Sequence, residues 1–295
     1  MDYCRLKVKD GGIHIPITQE AFEVATAKKP PYYQKDASGN MKLYALCPAC
    51  ENPVTIVGFY KKNDPHVKRP HGRHRASNVS NLANYNPQAY EICPLASKLK
   101  TFDKSKRRPR TFDKLANDIR NLLINHFDRV VYILQKCTGI YFSRKMLKSM
   151  LQSYWAADGH FYHGATLENV PWIFAYMTTN QNLYGQRIYK DSLIAKAIDE
   201  KCKNITLHQI ANTSMVKILP RTDTFIQLTF AFVAHKKTTS NSKVVESMTL
   251  MVWNNHKPIL EQKIVFTTDY WFRLVNYDNE RHRQPELIMF AKCNT

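Results

Sequence analysis

No stretch of this chain approaches the roughly 18 uninterrupted apolar residues that a membrane helix requires. Its first residues, Met1-Asp-Tyr-Cys-Arg-Leu-Lys, also lack the apolar run of a secretory leader. Both absences argue against a membrane partner and predict a cytoplasmic protein. An even, regularly spaced set of cysteines is missing too: there are seven, and four of them (Cys4, Cys137, Cys202, Cys293) lie far apart in segments patterned as helix or strand. That argues against a disulfide framework and for reduced thiols with one metal site. The chain has no Gly-rich phosphate loop, no GxSxG elbow and no HExxH helix. Acidic side chains are scarce as well, with 24 Asp and Glu against 43 Lys and Arg, a formal net charge of +19.

The distribution of that charge says more than its size. Residues 61–110 hold thirteen Lys and Arg against three Asp and Glu, so ten of the nineteen net charges sit in one sixth of the length. A concentration of this kind raises the local positive potential and speeds encounter with polyanions, which points to nucleic acid first and to an anionic membrane surface second. A solvated solubility surface is the competing reading.

The most informative segment runs from Leu46 to Pro94. It contains Cys47-Pro-Ala-Cys50, then His66, His71 and His74, then Cys93-Pro94. Two thiols separated by two residues can grip one tetrahedral ion, and a later His and Cys can close the shell. Cys47, Cys50, His74 and Cys93 are the expected ligands of a structural zinc, with His71 or His66 as replacements for His74. Unliganded core cysteines and a redox-active dithiol are the alternatives, but the βαβ context of a redox motif is missing.

Around this segment the chain reads as an α+β protein. Residues 3–8 and 13–17 alternate about Asp10-Gly11-Gly12 and should pair as a hairpin; a short helix follows Thr18 as far as Ala27; residues 42–46 and 54–60 flank the first thiol pair as a second hairpin. This β-rich module, residues 1–97, is too small to hold itself without a staple. Residues 98–110, rich in Lys and Arg, read as a solvated basic linker. From Thr111 to Gly139 apolar residues recur at helical spacing, and Ser143 starts a further helix. Helices are also expected near 168–177, 191–202 and 206–213, and strands at 224–234, 243–253, 259–267 and 287–291, so that 111–295 forms a helical-then-antiparallel-sheet domain.

The run Tyr44-Ala-Leu-Cys47-Pro-Ala-Cys50, with Pro70-His-Gly-Arg-His74 and Ala89-Tyr-Glu-Ile-Cys93-Pro94, resembles a module of uncharacterised bacterial zinc-finger proteins. The resemblance covers about residues 40–96, implies zinc binding and carries no established activity. A looser likeness, limited to the CPxC turn and a small β unit, is to the amino-terminal zinc module of bacterial competence-associated proteins that also carry a nuclease domain.

Candidate phosphate contacts are Arg69, Arg73 and Arg75 near the thiols and Lys106, Arg107, Arg108 and Arg110 in the basic run. Phe59, Tyr60 and Tyr85 lie in the same region as the first three and could stack on unpaired bases or fill the core. Residues 130–151 have a helix-turn-helix look, with Arg144, Lys145 and Lys148 facing outward, although Ile140-Tyr-Phe lengthens the turn; an ordinary helix pair is the other reading. Together these residues suggest a nucleic-acid-binding zinc protein, DNA or RNA, of the kind found in antiviral defence or mobile-element systems. A magnesium-dependent nuclease using Asp223, Glu246, Glu261 and Lys263 is a second reading. His160-Phe-Tyr-His163 could also coordinate a metal, but no carboxylate partner is evident. A toxin or regulatory subunit with a protein or RNA partner is a third reading.

Overall fold

A computed structural model of the chain describes residues 1–7, 14–36, 38–60, 70–91, 93–96, 100–221, 226–240, 243–277 and 280–295. They divide into two compact units, Met1–Lys98 and Leu99–Thr295. Among the described residues the architecture is α+β, with nine α-helices and four open antiparallel sheets, none closed into a barrel.

In the first unit, strands β1 (Tyr3–Cys4) and β2 (Ile15–Pro16) pair antiparallel; the Asp10-Gly11-Gly12 turn lies outside the described residues. Helix α1 (Gln19–Thr26) starts where expected, because the Thr18 hydroxyl accepts from the otherwise orphaned Ala21 N–H. Strands β3 (Tyr33–Lys35), β4 (Met41–Leu46), β5 (Pro53–Val57) and β6 (His71–His74) then form a sheet in that order, and helix α2 (Pro87–Glu91) follows. Alternation sends Leu43, Ala45, Val54 and Ile56 into a core shared with Phe22, Phe59, Cys47 and Cys93. Phe59, considered as a base-stacking ring, is instead part of this core at 6% exposure.

The second unit opens with β7 (Lys100–Thr101), α3 (Asp113–Asn125), α4 (Phe127–Thr138), β8 (Ile140–Tyr141), α5 (Arg144–Ala156) and α6 (Val170–Tyr176). It continues with β9 (Gln181–Asn182), β10 (Arg187–Tyr189), α7 (Leu193–Lys201), β11 (Ile205–Gln209) and β12 (Met215–Pro220). Three long strands, β13 (Leu228–Ser240), β14 (Lys243–Asn254) and β15 (Lys257–Val265), precede α8 (Thr268–Asn276) and α9 (Pro285–Lys292). The sheet β15-β14-β13-β7 buries Phe230, Phe232, Leu250 and Ile264 on its inner face, where α6 packs. Trp172 stacks on Phe266 at 4.9 Å, and the Trp271 indole donates to the Leu167 carbonyl at 2.8 Å.

Several expectations change here. Residues 111–139 are not one helix: the chain breaks at His126, whose ring nitrogen lies 3.2 Å from Arg129 Nη1 and 3.3 Å from Arg283 Nη1. Residues 206–213, read as helix, form β11 and its turn, where Asn212 at φ 56° closes the hairpin to β12. Residues 287–291, read as a strand, lie in α9: Pro285 starts the helix, and Leu287 and Ala291 bury at helical spacing. Within the Ile140-Tyr-Phe insertion, Ile140 and Tyr141 form β8, paired with β10, so α4 and α5 are separated by a sheet strand rather than joined by a helix-turn-helix turn.

From Lys100 to Arg110 the supposed linker is also folded. Thr101 pairs with Lys236 of β13, and Phe102 is buried at 4%. Arg108 is 5% exposed and donates from Nη2 to the carbonyls of His163 and Ala165. Arg107 Nε donates to the Ala157 carbonyl at 2.7 Å, and Arg110 pairs with Asp158 at 2.7 Å above the Phe161 ring. A guanidinium has five donors and a long apolar stem, so it can satisfy buried carbonyls as readily as it can coat a surface.

Candidate metal centre

Cys47 leaves the end of β4 and Cys50 follows on a tight turn: the Glu51 N–H donates to the Cys47 carbonyl at 2.9 Å, and Glu51 takes the left-handed conformation at φ 56°. Strand β6 supplies His74, which alternation turns to the core face beside Val54. Cys93 arrives just beyond α2, its N–H bonded to the Tyr90 carbonyl at 3.1 Å. The four ligand atoms lie within 4.8 Å of one another.

These positions suit a tetrahedral ion. Metal–sulfur bonds of about 2.3 Å and metal–nitrogen bonds of about 2.0 Å imply edges of about 3.8 Å between sulfurs and about 3.5 Å between sulfur and nitrogen. The observed edges are 3.7 Å from Cys47 to Cys93, 3.3 Å from Cys50 Sγ to His74 Nε2 and 3.6 Å from Cys93 Sγ to the same nitrogen. The Cys3His cluster could therefore hold a metal ion, and four protein ligands would fill a tetrahedral shell.

The electrostatics agree with an ion-accepting cage. Burial pushes the Cys47 thiol well above its usual range, and it takes Cys93 up to about 12. Hydrogen bonds from Cys47, Cys93 and His74 hold Cys50 far below the ordinary thiol value. A dication bound here would favour the deprotonated form of each thiol and order all four ligands.

Histidine selection follows from strand parity. His71 shares the opposite face of β6 with Arg73, so of these two histidines only His74 reaches the sulfurs; His66 lies outside the described residues. Sequence reasoning missed Asn52. This residue is 1% exposed; its Nδ2 donates to Cys50 Sγ at 3.4 Å and to the Asn86 carbonyl at 2.9 Å, while its Oδ1 accepts from the Asn86 N–H at 2.6 Å. One amide thereby ties the CPAC turn to the segment that delivers Cys93. The Leu95 N–H adds a donor to Cys93 Sγ at 3.4 Å, and Tyr90 packs edge-on against His74 at 5.1 Å.

The candidate cations differ in role. Arg73 and Arg75 are exposed on the outer side of the small sheet, with the Arg75 guanidinium 5.5 Å from the Tyr44 ring centroid; Arg69 lies outside the described residues. In the second unit Lys106 is exposed, whereas Arg107, Arg108 and Arg110 serve the internal contacts given above. Lys145 and Lys148 project outward from α5 while Met146, Leu147, Met150 and Leu151 bury, and Arg144 binds Glu286 at 3.2 Å.

Of the four residues considered for magnesium, the three that are described do not come together on one face. Alternation places Glu261 and Lys263 on the exposed outer face of β15. Glu246 lies on the inner face with Met248 and Leu250. Its Oε1 meets His235 Nε2 and Asn169 Nδ2, both at 2.7 Å, and its Oε2 lies 3.4 Å from Lys237. Burial raises this carboxyl, but Lys237, His235 and Asn169 outweigh it and hold it below the usual range. His235 Nδ1 continues to the Tyr162 hydroxyl at 3.0 Å, and its ring stacks on Phe102 at 4.3 Å. A register shift in β13, with Ala234 at φ 56°, is what turns His235 inward. Asp223 lies outside the described residues. His160, also considered as a metal ligand, packs among Trp155 and Phe161, and His163 packs against Phe102.

No helix among the described residues is long and apolar enough to cross a membrane. The chain matches no protein-family model, no curated protein and no solved structure.

Proposed function

We propose that this is a nucleic-acid-binding protein whose first unit is stapled by a structural zinc ion and presents arginines to phosphates. The observation that carries the reading is the two-sidedness of β6. His74 points inward to the thiols; Arg73, and Arg75 just beyond the strand, face outward beside Tyr44. Holding the strand by its inner face therefore fixes the spacing of the two guanidiniums on its outer face. Among the described residues neither arginine pairs with a carboxylate, which leaves both forks open to phosphate oxygens.

Zinc is the ion that a closed set of three sulfurs and one imidazole suits best, since it accepts tetrahedral geometry and borderline-soft ligands without redox chemistry. With no position left for water or substrate, its role is to fold the unit. Within that shell Cys47, Cys50 and Cys93 supply charge, and His74 couples the ion to β6.

The test is direct. Purified full-length protein should carry one equivalent of zinc by elemental analysis. It should bind DNA or RNA with an affinity that falls steeply as salt rises. Replacing Arg73 and Arg75 with Ala should lower the slope of log affinity against log salt by about one for each phosphate no longer neutralised. Absence of retention at low salt would overturn the reading.

A further inference from the structure

The sheet ordered β11-β12-β10-β8 carries basic and aromatic side chains together on one face. Tyr141, Arg187, Lys217 and His208 occupy directly opposed positions on its four strands and so form a single transverse row. Three inter-strand spacings make that row about 14 Å long. One rung away on the same face, Tyr189 opposes Met215. The alternate positions, Ile140, Ile188, Val216 and Ile218, are buried on the other face, so the row looks outward. Arg187, Lys217 and His208 lie towards solvent, and both tyrosines are half-buried.

Two features set this face apart from a merely solvated one. No carboxylate occupies any outward position of the four paired strands, and none of the three basic side chains is paired with one among the described residues. The Arg187 guanidinium already lies 4.0 Å from the centroid of the Tyr141 ring. A stacked guanidinium is held flat and keeps its outer surface and its edge donors available, one to lie against a base and the other to bond a phosphate.

We infer that this face is a binding platform for single-stranded nucleic acid, with bases lying on the Arg187–Tyr141 stack and on Tyr189, and phosphates against Lys217 and His208. Charge complementarity names the polyanion. The flat rings name its single-stranded form, because a duplex hides its base faces and meets a surface only through its backbone. The inference rests on the nucleic-acid reading of the chain but not on the metal centre or on Arg73 and Arg75.

The experiment uses full-length, zinc-loaded protein and a fluorescein-labelled oligonucleotide, offered either single-stranded or annealed to its complement, with anisotropy as the readout. Arg187→Ala combined with Tyr141→Leu should weaken single-strand binding by about tenfold or more, the scale of one lost base stack. Duplex binding should change by much less. Lys217→Ala, an exposed position without ring contacts, should weaken the single strand in the same direction even where the double variant is poorly folded. Wild-type protein that binds neither form sinks this inference together with the proposed function. Wild-type binding that Arg73→Ala/Arg75→Ala weakens, but that the platform variants leave untouched, sinks this inference alone. Equal losses for duplex and single strand would overturn the single-stranded assignment.

Discussion

Two buried polar clusters, one in each unit, answer the same physical problem in opposite ways. In the second unit Glu246 is surrounded by His235, Asn169 and Lys237, and His235 passes the chain of contacts on to Tyr162. That network satisfies its charge internally. In the first unit three sulfurs and an imidazole converge within 4.8 Å of one another. Three thiols and a neutral imidazole gathered round a common centre make a site that could take a cation from outside. The contrast separates a ligand site from structural wiring better than residue type does, since His and an ionisable partner occur in both.

The surroundings follow the same division. The larger unit buries whole aromatic side chains such as Trp172, Trp271, Phe127 and Phe174 and can support a self-contained polar network. The smaller unit has a modest core of Phe22, Leu43, Val54, Ile56 and Phe59 around its thiols. A domain of that size gains most from a metal or a disulfide.

The comparison breaks most visibly at the thiols. Replacing Cys47 and Cys50 together with Ser should abolish the bound zinc and unfold the first unit, since structural zinc binding is worth about 10 kcal/mol or more in small modules. Elemental analysis and circular dichroism before and after chelator would check it; full metal content in the variant would remove the site. The second unit should keep its own unfolding transition.

The opposite cluster should respond to loss of a charge rather than to a chelator. Glu246→Gln removes the carboxylate that both His235 and Lys237 contact and should cost about 3 kcal/mol, the low end for a broken buried pair. Denaturant unfolding would measure it, with zinc content unchanged. An unaltered midpoint would show that the network is dispensable.

Acid should also act on the second unit, and in two separable windows. Burial, aided by Arg129 and Arg283, lowers His126 to about 4 from an ordinary value near 6.5. The unfolded chain therefore takes up this proton first, and stability should fall between about pH 6.5 and pH 4 by up to roughly 3 kcal/mol. Replacing His126 with Gln should flatten that window. Glu246 has a lowered value, so its contribution is present above the normal carboxylate range and is lost only at more acidic pH.

The smallest effect sharpens the metal site. Asn52→Ala should leave zinc stoichiometry intact and weaken affinity about 10- to 100-fold, the usual cost of removing a partner that orients a ligand. Asn52→Asp keeps an acceptor for the Asn86 N–H but takes away the donor to Cys50, so it should not restore affinity. Competition with a chromogenic chelator distinguishes these variants, and rescue by Asp would refute the proposed donor role.

How much of this was legible in the chain depends on how local each feature is. Helix α1 was readable because Thr18 and the residues it caps are neighbours. The outward placement of Arg144, Lys145 and Lys148 was readable because helical spacing alone assigns the face. Residues 206–209 misled because their pattern suits either element, and pairing with β12 decided the matter. Arg107, Arg108 and Arg110 looked like a solvated arm because nothing in their spacing reveals the carbonyls and the carboxylate, some fifty residues away, that they bind.

The amino-acid order by itself determined the metal chemistry on offer, two thiols on a CPxC turn with a later His and Cys, because ligand type and turn geometry are local properties. It also determined the excess of positive charge. Only the tertiary structure decided which histidine joins the thiols, that Asn52 braces them, that Glu246 and Glu261 part company, and that Tyr141, Arg187, Lys217 and His208 line up across four strands. Each of these depends on strand parity or register between distant segments, and the free energy that sets the register belongs to the packed core rather than to any single stretch of chain.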